Sequence, residues 1–453
     1  MVLAKTDAAG ERGLMPEVLE FSSSLALDKR LLREDLVGSI AHLTMLSRTG
    51  IIPKDAAAKL KQGLKDIWAA QAAGTLELPN EEDVHMAVEA TLAKNVGEVS
   101  GLLHSARSRN DQVALDLRLH VREMCVRALN KLADLVDGLS KRAAAETDTL
   151  LPSYTHRQRA QPISLAYLLC GWGAMFARDA EAILFVLEQV DALPLGVGAI
   201  AGTSLPIDRE ITRKLLQFSK LTLNGLDTVG DRDFALDYTY AAARSLLHVS
   251  RISTDLIDFS TGEFGFVKLD GAIACGSSMM PQKKNPDVFE LLRGKSGRGV
   301  GNLVSLLMTL KGLPSGYNRD QQEDRLPLLE TAPLLIGALE MLELALGRVR
   351  FDPERTFAAL ANDYTQATDV AEALVLEGVP FRVAYGLVGK LVRACQDMKL
   401  PLSRATIELA QAIDPRLNAN VLKACDPRAS VERKRNAGGT GPASVRAQID
   451  ALG

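Results

Sequence analysis

From Gln112 to about Thr147 the apolar residues Val113, Leu117, Val121, Met124, Ala128, Leu132, Val136 and Leu139 recur in steps of three and four. That spacing marks one face of an α-helix, here a rod of roughly 50 Å. Comparable patterns recur at about 164–190, 231–260, 286–311 and 326–350, while the period-two alternation of half-buried strands is scarce. Helices this long cannot bury their apolar stripes against one small partner, so an elongated bundle that also packs against other copies of the chain is the economical arrangement. Gly294, Gly297, Gly299 and Gly301 fall inside the fourth pattern, where each costs about 1 kcal/mol relative to alanine; close helix crossing would account for them. The expected fold is all-α, in three mainly helical domains: 1–103, a central five-helix bundle over 104–352, and 353–453. The last holds the turn-rich stretch Gly438-Gly-Thr-Gly-Pro442, which cannot be helix interior.

A chain of 453 residues has room for a large core. Its 53 Lys and Arg against 56 Asp and Glu leave a net charge of −3, so no global field recommends nucleic acid or an anionic membrane as partner. The run Arg433-Lys434-Arg435 reads as a solvated helix face, and aromatics, at 5 %, are too few to interleave with it for stacking on bases. No apolar run reaches the ~18 residues of a membrane span, and the first thirty residues lack the charged-then-apolar order of a signal peptide. The expected location is the cytoplasm. Five cysteines, odd in number and far apart, suit reduced thiols, and no Cys/His spacing suggests a metal. Cys275, two residues before Ser277, reads as a thiol nucleophile or, better, as a small residue packing behind the loop.

Residues 276–287, Gly-Ser-Ser-Met-Met-Pro-Gln-Lys-Lys-Asn-Pro-Asp, lead into the fourth helical pattern. Asn285 and Pro286 read as N-cap and first helical position, since asparagine accepts from orphan backbone N–H groups and proline has none to lose. The helix dipole then faces a loop carrying Lys283 and Lys284, a field that favours a carboxylate. A serine hydroxyl is a poor base until cations and amide dipoles stabilise its oxyanion, and this loop supplies both.

Three further stretches are unusually polar. His104–Gln112 offers the forked donors of Arg107 and Arg109, suited to carboxylates, with Ser108 and Asn110 as short neutral donors and Asp111 serving the helix dipole. Tyr154–Ile163, ahead of the second pattern, carries His156, one of six histidines, flanked by Thr155, Arg157 and Gln158. A lone histidine near a helix start is more often a cap or core residue than a catalyst, yet its pKa makes it the natural proton carrier near neutrality. Lys311–Arg325 reads from composition as a polar connector.

The 276–287 run resembles the signature loop of the fumarase/aspartase superfamily, and Pro281–Asp287 resembles argininosuccinate lyases in particular; the likeness covers nearly the whole chain. It implies a reversible β-elimination of argininosuccinate to arginine and fumarate, without metal or organic cofactor. It also implies a homotetramer with a twenty-helix core, in which each site draws on three subunits. By the resemblance Ser277 is the base and His156 pairs with Glu290 to tune or relay protons; Lys283 and Asn285, a cation and a donor in the same loop, are expected to hold the carbanion's carboxylate. Ser108, Arg109, Asn110, Thr155 and Gln158 contact substrate. Tyr317, Gln322 and Arg325 recognise the amino-acid end, Arg325 standing where the family usually has lysine. Phe21–Asp28 and Glu82–His85 are similar to two N-terminal contact stretches, which implies roles for Ser24, Asp28 and Asp83. Arg157 replaces a usual apolar residue, and the Trp-Gly-Gly-Arg-Phe opening of bacterial members is missing from residues 1–20. Two other readings stay open. One is a related C–N lyase of aspartase or ethylenediamine-disuccinate-lyase type. The other is a non-catalytic structural member, against which the intact Ser277, His156, Lys283 and Asn285 argue.

Overall fold

The computed structural model describes residues 15–453, and the chain divides into two compact units. The missing N-terminal opening and the start of the expected first domain lie outside the described residues.

The first unit runs to Leu129 and adds Glu181–Arg244 and Gly297–Ile336. It begins with α1 (Pro16–Ser22), α2 (Leu25–Asp28), α3 (Leu32–Arg48), α4 (Lys54–Ala72) and α5 (Val84–Val96). Leu36, Leu43 and Leu46 of α3, Leu60 and Leu64 of α4, and Val88 and Leu92 of α5 are buried in one cluster, each side chain contributing roughly 1.5–3 kcal/mol. Gly63 permits the close packing, since a Cβ there would stand 2.6 Å from Leu92 Cδ1. Asp83 caps α5 by accepting from the Met86 N–H at 2.7 Å, and Gly97, at φ 76°, ends it.

α6 (Arg109–Ala145) is 37 residues long, about 55 Å, and all of the residues from Val113 to Leu139 that defined its apolar stripe are buried. It belongs to the first unit up to Leu129 and to the second from Asn130. After it come α7 (Leu165–Val190), α8 (Arg209–Leu215), α9 (Gly225–Gly230), α10 (Asp233–Ser260), α11 (Asp287–Leu310) and α12 (Arg325–Leu346). All five long helices therefore appear near their expected bounds. α12 stops short of residue 350 because the chain turns at Gly347 into a strand.

The second unit holds Asn130–Ala180, Ser245–Ser296 and Gly337–Gly453. Its helices from α13 (Pro353–Ala361) to α19 (Pro442–Leu452) enclose a core that includes Val370, Leu374, Leu391, Leu402, Leu417 and Val421. Gly441 and Pro442 of the expected turn become the N-cap and first residue of α19. Lys434 is not solvated as expected; its Nζ lies 2.5 Å from the buried Asp369.

Strands occur only as two-stranded pieces among the described residues: β1 (Leu150–Thr155) with β2 (Gln158–Ser164), β3 (Ala192–Leu193) with β4 (Lys220–Leu221), β6 (Cys275–Gly276) with β7 (Lys284–Asn285), and β5 (Val267–Leu269) with β8 (Val349–Phe351). The fold is all-α with these attachments. Among the described residues a Cβ at Gly294, Gly297 or Gly301 would meet nothing within 4 Å, so at these three glycines the expected close crossing is not seen. Among the described residues no helix is long and apolar enough to cross a membrane.

Candidate active site

The antiparallel pairing of β6 with β7 closes the neck of the serine loop. It also corrects the expected cap. Asn285 is taken up by the bridge, α11 starts at Asp287, and the Pro286 carbonyl accepts the first N–H groups, from Phe289 at 2.9 Å and Glu290 at 3.1 Å. Asp287 reaches back to the Cys275 N–H at 2.8 Å. Cys275 is exposed rather than packed behind the loop, and its hydrogen bond to Asp287 pushes the thiol up, away from thiolate chemistry. Inside the loop the Ser277 Oγ accepts the N–H groups of Met279 at 3.2 Å and Met280 at 3.0 Å. Two amide dipoles aimed at one hydroxyl oxygen favour negative charge on it. Ser277 is half-buried, while Lys283 and Glu290 are exposed.

The stretch expected simply to lead into the second long helix is a β-hairpin. Thr155 pairs with Gln158, leaving His156 and Arg157 as a two-residue turn with φ of 52° and 58°. This left-handed conformation suits hairpin twist but costs a non-glycine residue roughly 1–2 kcal/mol. Arg157 Nη2 meets Asp258 Oδ2 at 2.5 Å, and Tyr154 lies 5.5 Å, centroid to centroid, from Phe264. The anchored hairpin presents Thr155, His156 and Gln158 to solvent. No hydrogen bond or ion pair joins His156 to Glu290 among the described residues, and both are exposed. The expected pair is therefore not made within one chain.

In the first unit, Ser108, Arg109 and Asn110 stand at the start of α6. Arg109 is fixed on two sides: its Nε lies 3.1 Å from Asp83 Oδ2, and its Nη1 donates to Gln112 Oε1 at 2.8 Å. Asp83 thus serves as both helix cap and arginine partner. Asn110 Nδ2 donates to the Ala199 carbonyl at 3.0 Å. Asp111 does more than serve the dipole, for its carboxylate accepts the N–H groups of Ser108, Gly196 and Gly198, each at 2.9 Å.

Arg325 requires a larger correction. It is 3 % exposed, with Nε donating to Asp28 at 3.1 Å and Nη1 donating to Asp324 at 2.8 Å and to the Gln321 carbonyl at 3.2 Å. The Ser24 hydroxyl donates to the far oxygen of Asp28, and Arg232 Nε holds the far oxygen of Asp324 at 2.5 Å. Burial works against the guanidinium's charge, yet Asp324 and Asp28 hold its pKa above the usual arginine range. Ser24, Asp28 and Arg325 form an internal ion network rather than an open grip. Tyr317 is half-buried, and Gln322 Nε2 donates to the Ser22 carbonyl at 2.8 Å.

Comparison with known proteins finds the family pattern described as Lyase over residues 16–301 and that of the argininosuccinate lyase C-terminal region over 364–432. The argininosuccinate lyase of Synechococcus sp. (strain JA-3-3Ab) is 46 % identical over 96 % of this chain and 89 % of its own. The chain belongs to the argininosuccinate lyase family. The argininosuccinate lyase of Syntrophus aciditrophicus (strain SB) is 43 % identical over 95 % of this chain and 91 % of its own. Among solved structures, EDDS lyase in complex with formate matches with a TM-score of 0.85 at 27 % identity, over 96 % of this chain and 87 % of that one.

In this argininosuccinate lyase family member the sequence reading overlooked the buried polar groups behind Arg109. Asp35, His85 and Asp116 are buried, with ligand-capable atoms all within 4.8 Å of one another, a spacing a metal ion could use. Proton sharing accounts for it as well: His85 Nδ1 lies 3.0 Å from Asp35 and 3.4 Å from Asp116. Burial alone would raise Asp35, but hydrogen bonding and charge from His85, with Arg107 and Gln112, hold it at about 2. Asp116 is pushed well up by burial and by the charges of Asp35 and Glu34. Asp35 lies 77 positions from Gln112, and no local pattern links them; helix-face polarity on α3 was the only available signal.

Proposed function

We propose that this family member catalyses the reversible β-elimination of argininosuccinate to arginine and fumarate, in arginine biosynthesis. The observation that carries the mechanism is the Ser277 Oγ, which accepts two backbone N–H groups in a loop that also bears Lys283. Those donors and the ammonium charge would stabilise a serine oxyanion. Ser277 removes a proton from the succinyl carbon next to a carboxylate; the electron pair collapses to a C=C bond as the neighbouring C–N bond breaks; the departing nitrogen takes a proton; and fumarate remains. Lys283 and Asn285 hold the carboxylate on which the charge accumulates. Ser108, Arg109 and Asn110, with Thr155 and Gln158, grip the succinyl half, and Tyr317 and Gln322 face the amino-acid half.

His156 and Glu290 relay the proton when they meet between subunits of a homotetramer. Supporting this reading, both are exposed in one chain. The open glycine face of α11 also carries the exposed apolar residues Val304 and Met308, suited to packing against another copy. The three-domain layout, a cytoplasmic location and a reaction without metal or organic cofactor belong to the same reading.

A second reading, a C–N lyase acting on another aminosuccinate, is favoured by the internal commitment of Arg325, which leaves the amino-acid end less charged than expected. Fumarate release, followed by ultraviolet absorbance over argininosuccinate, aspartate and ethylenediamine disuccinate, separates the two. Argininosuccinate should give the highest kcat/KM. A faster reaction with another member of the panel would transfer the assignment to it.

A further inference from the structure

One of the two side chains that fix Arg109 is itself buried. Gln112 is 2 % exposed and uses both ends of its amide: its Oε1 accepts from Arg109 Nη1 at 2.8 Å, and its Nε2 donates to Asp35 Oδ1 at 2.5 Å. An amide couples two groups in this way when one donates to its oxygen and the other accepts from its N–H. Asp35 Oδ1 is that acceptor, and His85 Nδ1 stands 3.0 Å from the same oxygen. We propose that Gln112 is a positioning residue, transmitting the fixed anion of Asp35 on α3 to the guanidinium of Arg109 so that its remaining donors face the substrate carboxylate. This rests on Arg109 binding the succinyl half. Asp83 steadies the opposite side of the same guanidinium at 3.1 Å, so losing Gln112 should let Arg109 swing rather than detach.

The charged groups around the amide's two partners bear on any titration of a substitute. They are Asp35 on α3, His85 and Glu89 on α5, and Arg109 and Asp116 on α6, with Arg107 just ahead of it. A glutamate at position 112 reproduces the coupler only when protonated, its O–H donating to Asp35 and its carbonyl accepting from Arg109. When ionised it sets a second negative charge against Asp35.

The experiment measures fumarate binding by calorimetry, together with argininosuccinate KM and kcat, for Gln112→Met and Gln112→Glu as folded oligomers. Gln112→Met should weaken fumarate binding and raise KM by roughly five- to tenfold, with a smaller change in kcat. Gln112→Glu should approach wild-type fumarate affinity as pH falls, a trend absent in Gln112→Met. Fumarate affinity unchanged in Gln112→Met, or the same pH profile in both variants, would overturn the proposal. So would a loss of active fraction at constant KM, the mark of a merely structural role. Because the calorimetric arm needs no turnover, wild type that binds fumarate without cleaving argininosuccinate would refute the functional reading alone.

Discussion

At the scale of single residues, the loop around Ser277 and the network around Arg325 make opposite demands on mutation. Ser277→Ala removes one hydroxyl from a loop and no core contact, so turnover should fall by at least about a thousandfold while fumarate binding and assembly persist. Near-normal steady-state activity would remove Ser277 as the base. Arg325→Ala leaves Asp28 and Asp324 buried with a partner missing, and should cost about 3–5 kcal/mol in urea unfolding. Arg325→Lys should fall between Ala and wild type, because an ammonium cannot span two carboxylates as a fork does. A wild-type midpoint for Arg325→Ala would contradict the network. The loop around Ser277 was legible in the sequence because the N–H groups that its Oγ accepts lie two and three positions on. Arg325 was misread because its burial depends on Asp28, 297 positions away, and sequence reveals charge more readily than burial.

At the scale of elements, the long helices were legible because a stripe repeated over about seven turns leaves little ambiguity; each residue from Val113 to Leu139 that marked the stripe of α6 is buried. The β1–β2 hairpin was not, since its turn is His156-Arg157 rather than a glycine pair. The cap of α11 was misplaced because the bridge between β6 and β7 claims Asn285. The packing of α3, α5 and α6 carries a pH consequence. The folded chain holds the Asp116 proton to higher pH than the unfolded chain does, through burial and the facing charges of Asp35 and Glu34, opposed by Arg107 and Arg109. Stability is therefore lost as pH rises above the ordinary carboxylate range toward the folded value. Asp116→Asn removes that titration, so its melting temperature relative to wild type should rise from pH 5 to pH 8. A difference independent of pH would show that Asp116 does not carry the proton.

At the scale of the whole molecule, the His156 tip and the serine loop sit in one compact unit yet do not engage each other through His156 and Glu290, whose side chains are exposed. A lyase site drawing on His156 from one chain and Lys283 from another, as proposed, would present both outward. The most direct test refolds two inactive variants together, His156→Asn and Lys283→Met, and assays fumarate release from argininosuccinate. Equal random mixing should leave about a quarter of sites with both wild-type residues, the product of two independent halves, and restore activity in that proportion. Verified mixed oligomers that remain inactive would show that each site is made within a single chain.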